Sequence, residues 1–152
     1  VSSGLELGVS PPKLAFNLVE GEEKCVEIKL ISSERTFFAV SDYWINESRI
    51  VKDISYYNKS SQDFGVRTKY NTDFFLDGVK RVDFCVRAER SGFYQGVLLF
   101  EPEDRNLVLG VWILLEVSGE EDKSDYSKNF ALISEIVLSL SLFGLLSYLV
   151  IK

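Results

Sequence analysis

Arg81–Ala88 reads RVDFCVRA and alternates without a break. Val82, Phe84 and Val86 share one face, while Arg81, Asp83, Cys85 and Arg87 share the other. Successive strand side chains point to opposite faces, so this is a half-buried β-strand with a charged outer surface. Lys24–Ser32, KCVEIKLIS, repeats the design, with Val26, Ile28 and Leu30 inward and Cys25, Glu27 and Lys29 outward. Each segment carries one cysteine on its charged face.

Outward from these two, the same signal recurs along the chain. Lys13–Val19 (KLAFNLV) sets Leu14, Phe16 and Leu18 on one side, and Thr36–Val40 leads an apolar stretch into Tyr43-Trp44. Gly92–Phe100 and Leu107–Val117 read as further strands, and Ile50–Tyr57 and Val66–Tyr70 as short edge strands. Ser10-Pro11-Pro12, Glu20-Gly21-Glu22-Glu23 and Glu101-Pro102-Glu103-Asp104 punctuate them. About seven strands without a helical period predict an all-β domain over residues 1–118, a seven-stranded antiparallel immunoglobulin-like sandwich. Leu14, Phe16, Val26, Ile28, Leu30, Val82, Phe84 and Val86 are its expected core. Tyr94, at the Ser91-Gly92-Phe93-Tyr94 corner, is either the tyrosine that closes such a corner or an ordinary strand aromatic.

In the usual strand order the second and fifth strands are neighbours in one sheet. Cys25 and Cys85 then leave the same outer face, close enough for a cross-strand disulfide. Closing a loop of about 60 residues stabilises a fold by roughly 4 kcal/mol on the chain-entropy model. Such a bridge belongs to an oxidising compartment. Phe37-Phe38, Tyr43-Trp44, Tyr56-Tyr57 and Phe74-Phe75 are adjacent aromatic pairs. One member of each pair must turn away from the core, which offers the outer sandwich face as a contact surface.

Residues 130–151, FALISEIVLSLSLFGLLSYLVI, are apolar except for Glu135 and scattered hydroxyls. As a helix they extend about 33 Å, enough for a hydrocarbon layer of roughly 30 Å. They predict one transmembrane helix, reached through a charged linker at residues 119–129. Ser134, Ser141, Gly144 and Tyr148 fall on one helical stripe with Glu135 beside it, a pattern suited to packing against another helix. Glu135 either reaches the headgroups or is protonated, or it meets a cation or donor on a partner subunit.

The opening LELGVSPPKLAFNLVEGEEKCVEIKLISS resembles the first two strands of immunoglobulin-like domains such as the major-sperm-protein group. VDFCVRAERSGFYQGVLLF and LVLGVWILLEVSG resemble small immunoglobulin-like domains of archaeal-type surface proteins. The resemblance covers most of residues 5–118, and residues 41–80 match neither pattern well. The resemblance implies a sandwich that binds or assembles with other proteins. A second implication is a tail-anchored cytosolic adaptor of the major-sperm-protein type, which recruits peptide motifs to a membrane.

The chemistry of the chain excludes more than it selects. It has no His, the commonest general base and metal ligand, and no nucleophile elbow or phosphate-binding glycine loop. No enzymatic activity, metal or cofactor is therefore expected. Seventeen Lys and Arg against 23 Asp and Glu leave a net charge of −6, without the clustered cations that nucleic acid requires. Asn46-Glu47-Ser48 and Asn58-Lys59-Ser60 are N-glycosylation sequons. The chain starts at Val1 and lacks Met, as after removal of a signal peptide. Sequons, paired cysteines and the apolar segment together predict a single-pass membrane glycoprotein. Its N-terminal domain faces the cell surface or a secretory lumen, and its partners are membrane lipid and other protein subunits.

Overall fold

A computed structural model of the chain describes residues 6–103 and 106–119, and one compact unit ends at Ser118. Its strands are β1 (Leu7–Ser10), β2 (Lys13–Val19), β3 (Glu23–Ile45), β4 (Val66–Lys69), β5 (Asp73–Ala88), β6 (Gly92–Pro102) and β7 (Leu109–Ser118). The hydrogen-bonded order is β2-β7-β6-β3-β5-β4, with β1 also on β3.

β3 explains how one hydrogen-bonded path becomes two layers. Its first part pairs with β5 from Glu23↔Arg87 to Ser32↔Gly78, and its last part with β6 from Phe38↔Pro102 to Ile45↔Gln95. Both pairings are antiparallel, and Ala88, Gly92 and Ser118 gather at one end of the unit through β6–β7 pairing and the Gly21 N–H bond to Ala88 O. β3 must therefore run away from that end and then return, reversing between Ser32 and Thr36, where its register with β5 shifts. Ser32 Oγ and Thr36 Oγ1 both donate to Glu34 O at this corner, 2.6 and 2.9 Å away. Gly78 follows the bend on β5 with φ 82°, a left-handed conformation that glycine takes without a steric penalty.

Phe16 on β2 meets Phe84 on β5 with ring centroids 6.2 Å apart, although the two strands lie far apart along the path. That contact crosses the core between layers. One layer is β2, β7, β6 and the end of β3. The other is β1, the start of β3, β5 and β4.

The expected core is buried: Leu14, Phe16, Ile28, Leu30, Val82, Phe84 and Val86 all turn inward, and Val26 is half-buried. Trp44, Phe38, Phe100, Ile113 and Leu115 are among the further side chains buried with it. Trp44 lies directly on Gly96, where an added Cβ would stand 2.9 Å from three indole atoms.

Four features depart from the sequence expectation. Lys24–Ser32 and Thr36–Val40 belong to one bent strand, because the corner's hydroxyls keep the backbone bonded through it. Leu7–Ser10 forms an additional strand on β3 that ends where Pro11 and Pro12 supply no N–H donors. The chain then crosses layers, so β2 runs parallel to β7 and the sandwich is not wholly antiparallel. Residues 50–57 form no strand. Asp53 accepts from the N–H and hydroxyl of Ser55 and caps a 3-10 turn at Ile54–Tyr56, which removes the segment from ladder pairing.

The segment read as a membrane helix, residues 130–151, lies outside the described residues. Among the described residues, no helix is long and apolar enough to cross a membrane.

Candidate functional site: a groove walled by the 46–57 loop

The two cysteines meet as their shared outward phase requires. Cys25 and Cys85 are cross-strand partners on β3 and β5, disulfide-bonded with Cα atoms 4.0 Å apart. Cys25 is exposed, and Glu27 and Arg81 form an ion pair of 2.8 Å on the same outer face. Each aromatic pair divides as predicted: Phe38, Trp44, Tyr57 and Phe74 are buried, while Tyr43, Tyr56 and Phe75 are exposed and Phe37 is half-buried. Tyr94 Oη donates to Arg90 O at 3.0 Å, so it closes the corner.

Asn46 and Asn58 are both exposed, and the fold brings their segments together. Trp44 and Lys59 form an isolated antiparallel bridge, with Trp44 N–H donating to Lys59 O at 2.9 Å. Ser60, the hydroxyl residue of the second sequon, caps the next 3-10 turn. Ser134, Glu135, Ser141, Gly144 and Tyr148 lie outside the described residues.

A feature absent from the sequence reading lies on the outer face of β6 and β7. Gln95 is completely buried yet sits on the outward side of β6, beneath the 46–57 loop. Its Nε2 donates to Glu47 O at 3.0 Å and Arg49 O at 2.7 Å, and its Oε1 accepts from Val51 N–H at 2.9 Å. Tyr57 Oη, which donates to Val51 O at 2.6 Å, also lies 3.4 Å from that oxygen. One amide thus anchors the loop at several points, and a fully satisfied buried network of this kind is rigid.

The anchored loop forms the wall of a groove of about 320 Å³ lined by Lys13, Ile50, Val51, Lys52, Tyr57, Gln95, Trp112, Ile113 and Leu114. Tyr57 stands edge-on to Trp112, with ring centroids 5.5 Å apart. Burial pushes the Tyr57 hydroxyl above its usual pKa, so at neutral pH it remains a neutral donor. The sequence signal for this site is Gln95 itself, the one amide in the apolar strand GFYQGVLLF. Trp112 is the second, because it faces outward on β7.

A second polar cluster holds the layers together. Asp42, on the inward phase of β3, accepts from Trp44 Nε1, from Thr68 Oγ1 at 3.2 Å and from Tyr70 Oη. Burial, then the bond to Asp42, raises the Tyr70 hydroxyl far above its usual pKa. Among the described residues, no cluster of three or more His, Cys, Asp or Glu stands ready to hold a metal.

The layer crossing by β3, the Tyr94 corner and the Phe16–Phe84 contact decide the architecture. It is an immunoglobulin-like β-sandwich. Solved structures share it at low identity. The family 123 glycoside hydrolase of Clostridium perfringens matches with a TM-score of 0.52 and 11% identity, over 77% of this chain and 27% of that one. A structure of the chaperone–tip adhesin complex of CFA/I fimbriae matches with a TM-score of 0.52 and 9% identity, over 74% and 57%. The chain therefore spans less than two thirds of either. WR4, a major-sperm-protein family member of Caenorhabditis elegans, matches with a TM-score of 0.40 and 15% identity, over 74% and 97%. At these identities the likeness is one of fold. No protein-family model matches the chain, and no curated protein matches it in sequence.

Proposed function

We propose that the protein is a non-enzymatic, single-pass membrane protein whose immunoglobulin-like domain faces the extracytoplasmic space. It serves binding or assembly there as an accessory subunit of an envelope or membrane complex, as in the archaeal-type surface proteins its strands resemble. The observation that carries this reading is the Cys25–Cys85 bridge, which joins directly opposed residues on an outer face. A structural disulfide persists in oxidising compartments and is rare in the cytosol. Exposure of both sequon asparagines supports the same compartment, since attached glycans would stay in solvent. The bridge argues against a cytosolic adaptor of the major-sperm-protein type.

Residues 130–151 anchor the domain, and residues 119–129 link the two. Glu135 gives the helix a second role. An ionised carboxylate on a lipid-facing helix costs roughly 2.5 to 3.5 kcal/mol at the bilayer centre and less towards the surface, where Glu135 falls, five residues after Phe130. A partner helix that supplies a donor or cation lowers that cost, and Gly144, on the opposite side of the helix nine residues on, permits close approach of a helix on its own face. Mild-detergent purification of wild type beside Glu135→Leu and Gly144→Leu tests the reading. Loss of co-purifying subunits, or a smaller complex, is expected for at least one variant. Unchanged partners and size in both would reduce the helix to an anchor.

A further inference from the structure

We infer that the groove between β7 and the 46–57 loop is a binding site for a small organic anion with a flat apolar body. This goes beyond the assembly role and does not depend on membrane anchoring. Three observations carry it.

The first is construction. The loop is held by the buried Gln95 amide and the Tyr57 hydroxyl, which together bind Glu47, Arg49 and Val51. The groove is thus formed before any ligand arrives, as small-molecule sites usually are. The second is shape and lining. A volume of about 320 Å³ falls in the range of small-molecule sites, and Trp112, Tyr57, Ile50 and Leu114 offer aromatic and aliphatic surface for stacking. The third is charge. The lining includes Lys13 from β2 and Lys52 from the loop but no carboxylate, on a chain whose net charge is −6. Lys13 is in register with Trp112, so its side chain leaves the sheet on the same face as the indole. Neither lysine forms an ion pair among the described residues.

An apolar plane fixes the body of the ligand, and two cations from separate elements fix its charged end. A carboxylate or sulfonate beside one or two fused rings satisfies both requirements.

The test uses the full chain in phosphatidylcholine nanodiscs and isothermal titration calorimetry. The probes are 2-naphthoate and its cationic counterpart 2-naphthylmethylammonium, each corrected for titration into empty nanodiscs. Wild type should bind naphthoate saturably at one site, and bind the cation roughly tenfold more weakly or worse. Lys13→Glu with Lys52→Glu, both exposed positions, should reverse that preference. Gln95→Leu should weaken naphthoate although both lysines remain. Failure of naphthoate to saturate overturns the inference, as does a preference that survives reversal of both lysines. Partner retention in the helix variants is read separately.

Discussion

Gln95 shows how much of the loop structure rests on one side chain. Replacing it with Ala leaves Val51 N–H and the carbonyls of Glu47 and Arg49 without their partner. Stranding a buried polar group costs about 1–3 kcal/mol. The Gln95→Ala chain should show a lower denaturant midpoint and faster hydrogen exchange at the Val51 amide than wild type. Unchanged exchange there would mean that the loop is held by something other than the amide. Tyr70 gives the pH counterpart. The hydroxyls of Tyr57, Tyr70 and Tyr94 are all raised above the ordinary value of 10.0, each chiefly by burial. For a group raised in the folded state, the contribution is complete below the unfolded pKa. It is lost as pH climbs through the folded one. Stability should be flat with respect to these groups up to about pH 10 and fall above it. Tyr70→Phe should make that alkaline fall shallower, at a loss of about 1–3 kcal/mol near neutrality from the bond to Asp42. An alkaline limb identical to wild type would remove Tyr70 as its source.

At the scale of elements, the strands that alternate cleanly were legible and the joints between them were not. The phase of Lys24–Ser32 and Arg81–Ala88 is set by side-chain burial, and a slip of one residue would have exposed Ile28 and Phe84 together. That phase also placed the two cysteines face to face. The β3 reversal was hidden because it depends on Ser32 and Thr36 hydroxyls bonding a backbone carbonyl, a pattern that polar loops share. The groove was hidden for a related reason: residues 46–57 gain their shape from Gln95, which lies 44, 46 and 48 residues after the Val51, Arg49 and Glu47 backbone groups it binds. The parallel docking of β2 on β7 leaves no local trace, since a parallel strand alternates like any half-buried one. Packing between elements makes its own prediction. Gly96→Ala forces a Cβ to within 2.9 Å of the buried Trp44 ring, an overpacking that costs about 1–3 kcal/mol. Phe84→Ala opens a cavity instead, at about 3–5 kcal/mol. Thermal melts of the two variants check both, and an unchanged midpoint for Gly96→Ala would mean that β3 and β6 pack more loosely at Trp44 than the geometry requires.

At the scale of the whole molecule, the proposed function turns on whether the sandwich lies in an oxidising compartment. The Cys25–Cys85 bridge closes a separation of 60 residues and ties β3 to β5 where the long ribbon begins. Its loss in a Cys25→Ser, Cys85→Ser chain should lower stability by about 2–4 kcal/mol. The decisive measurement is the redox state of the native protein. Cells are treated with a membrane-permeant alkylating agent before lysis, and the intact chain is weighed by mass spectrometry without reduction. The account predicts that neither Cys25 nor Cys85 takes up the label until a reductant is added. Full alkylation of both thiols in the unreduced chain would contradict it and place the domain in a reducing compartment.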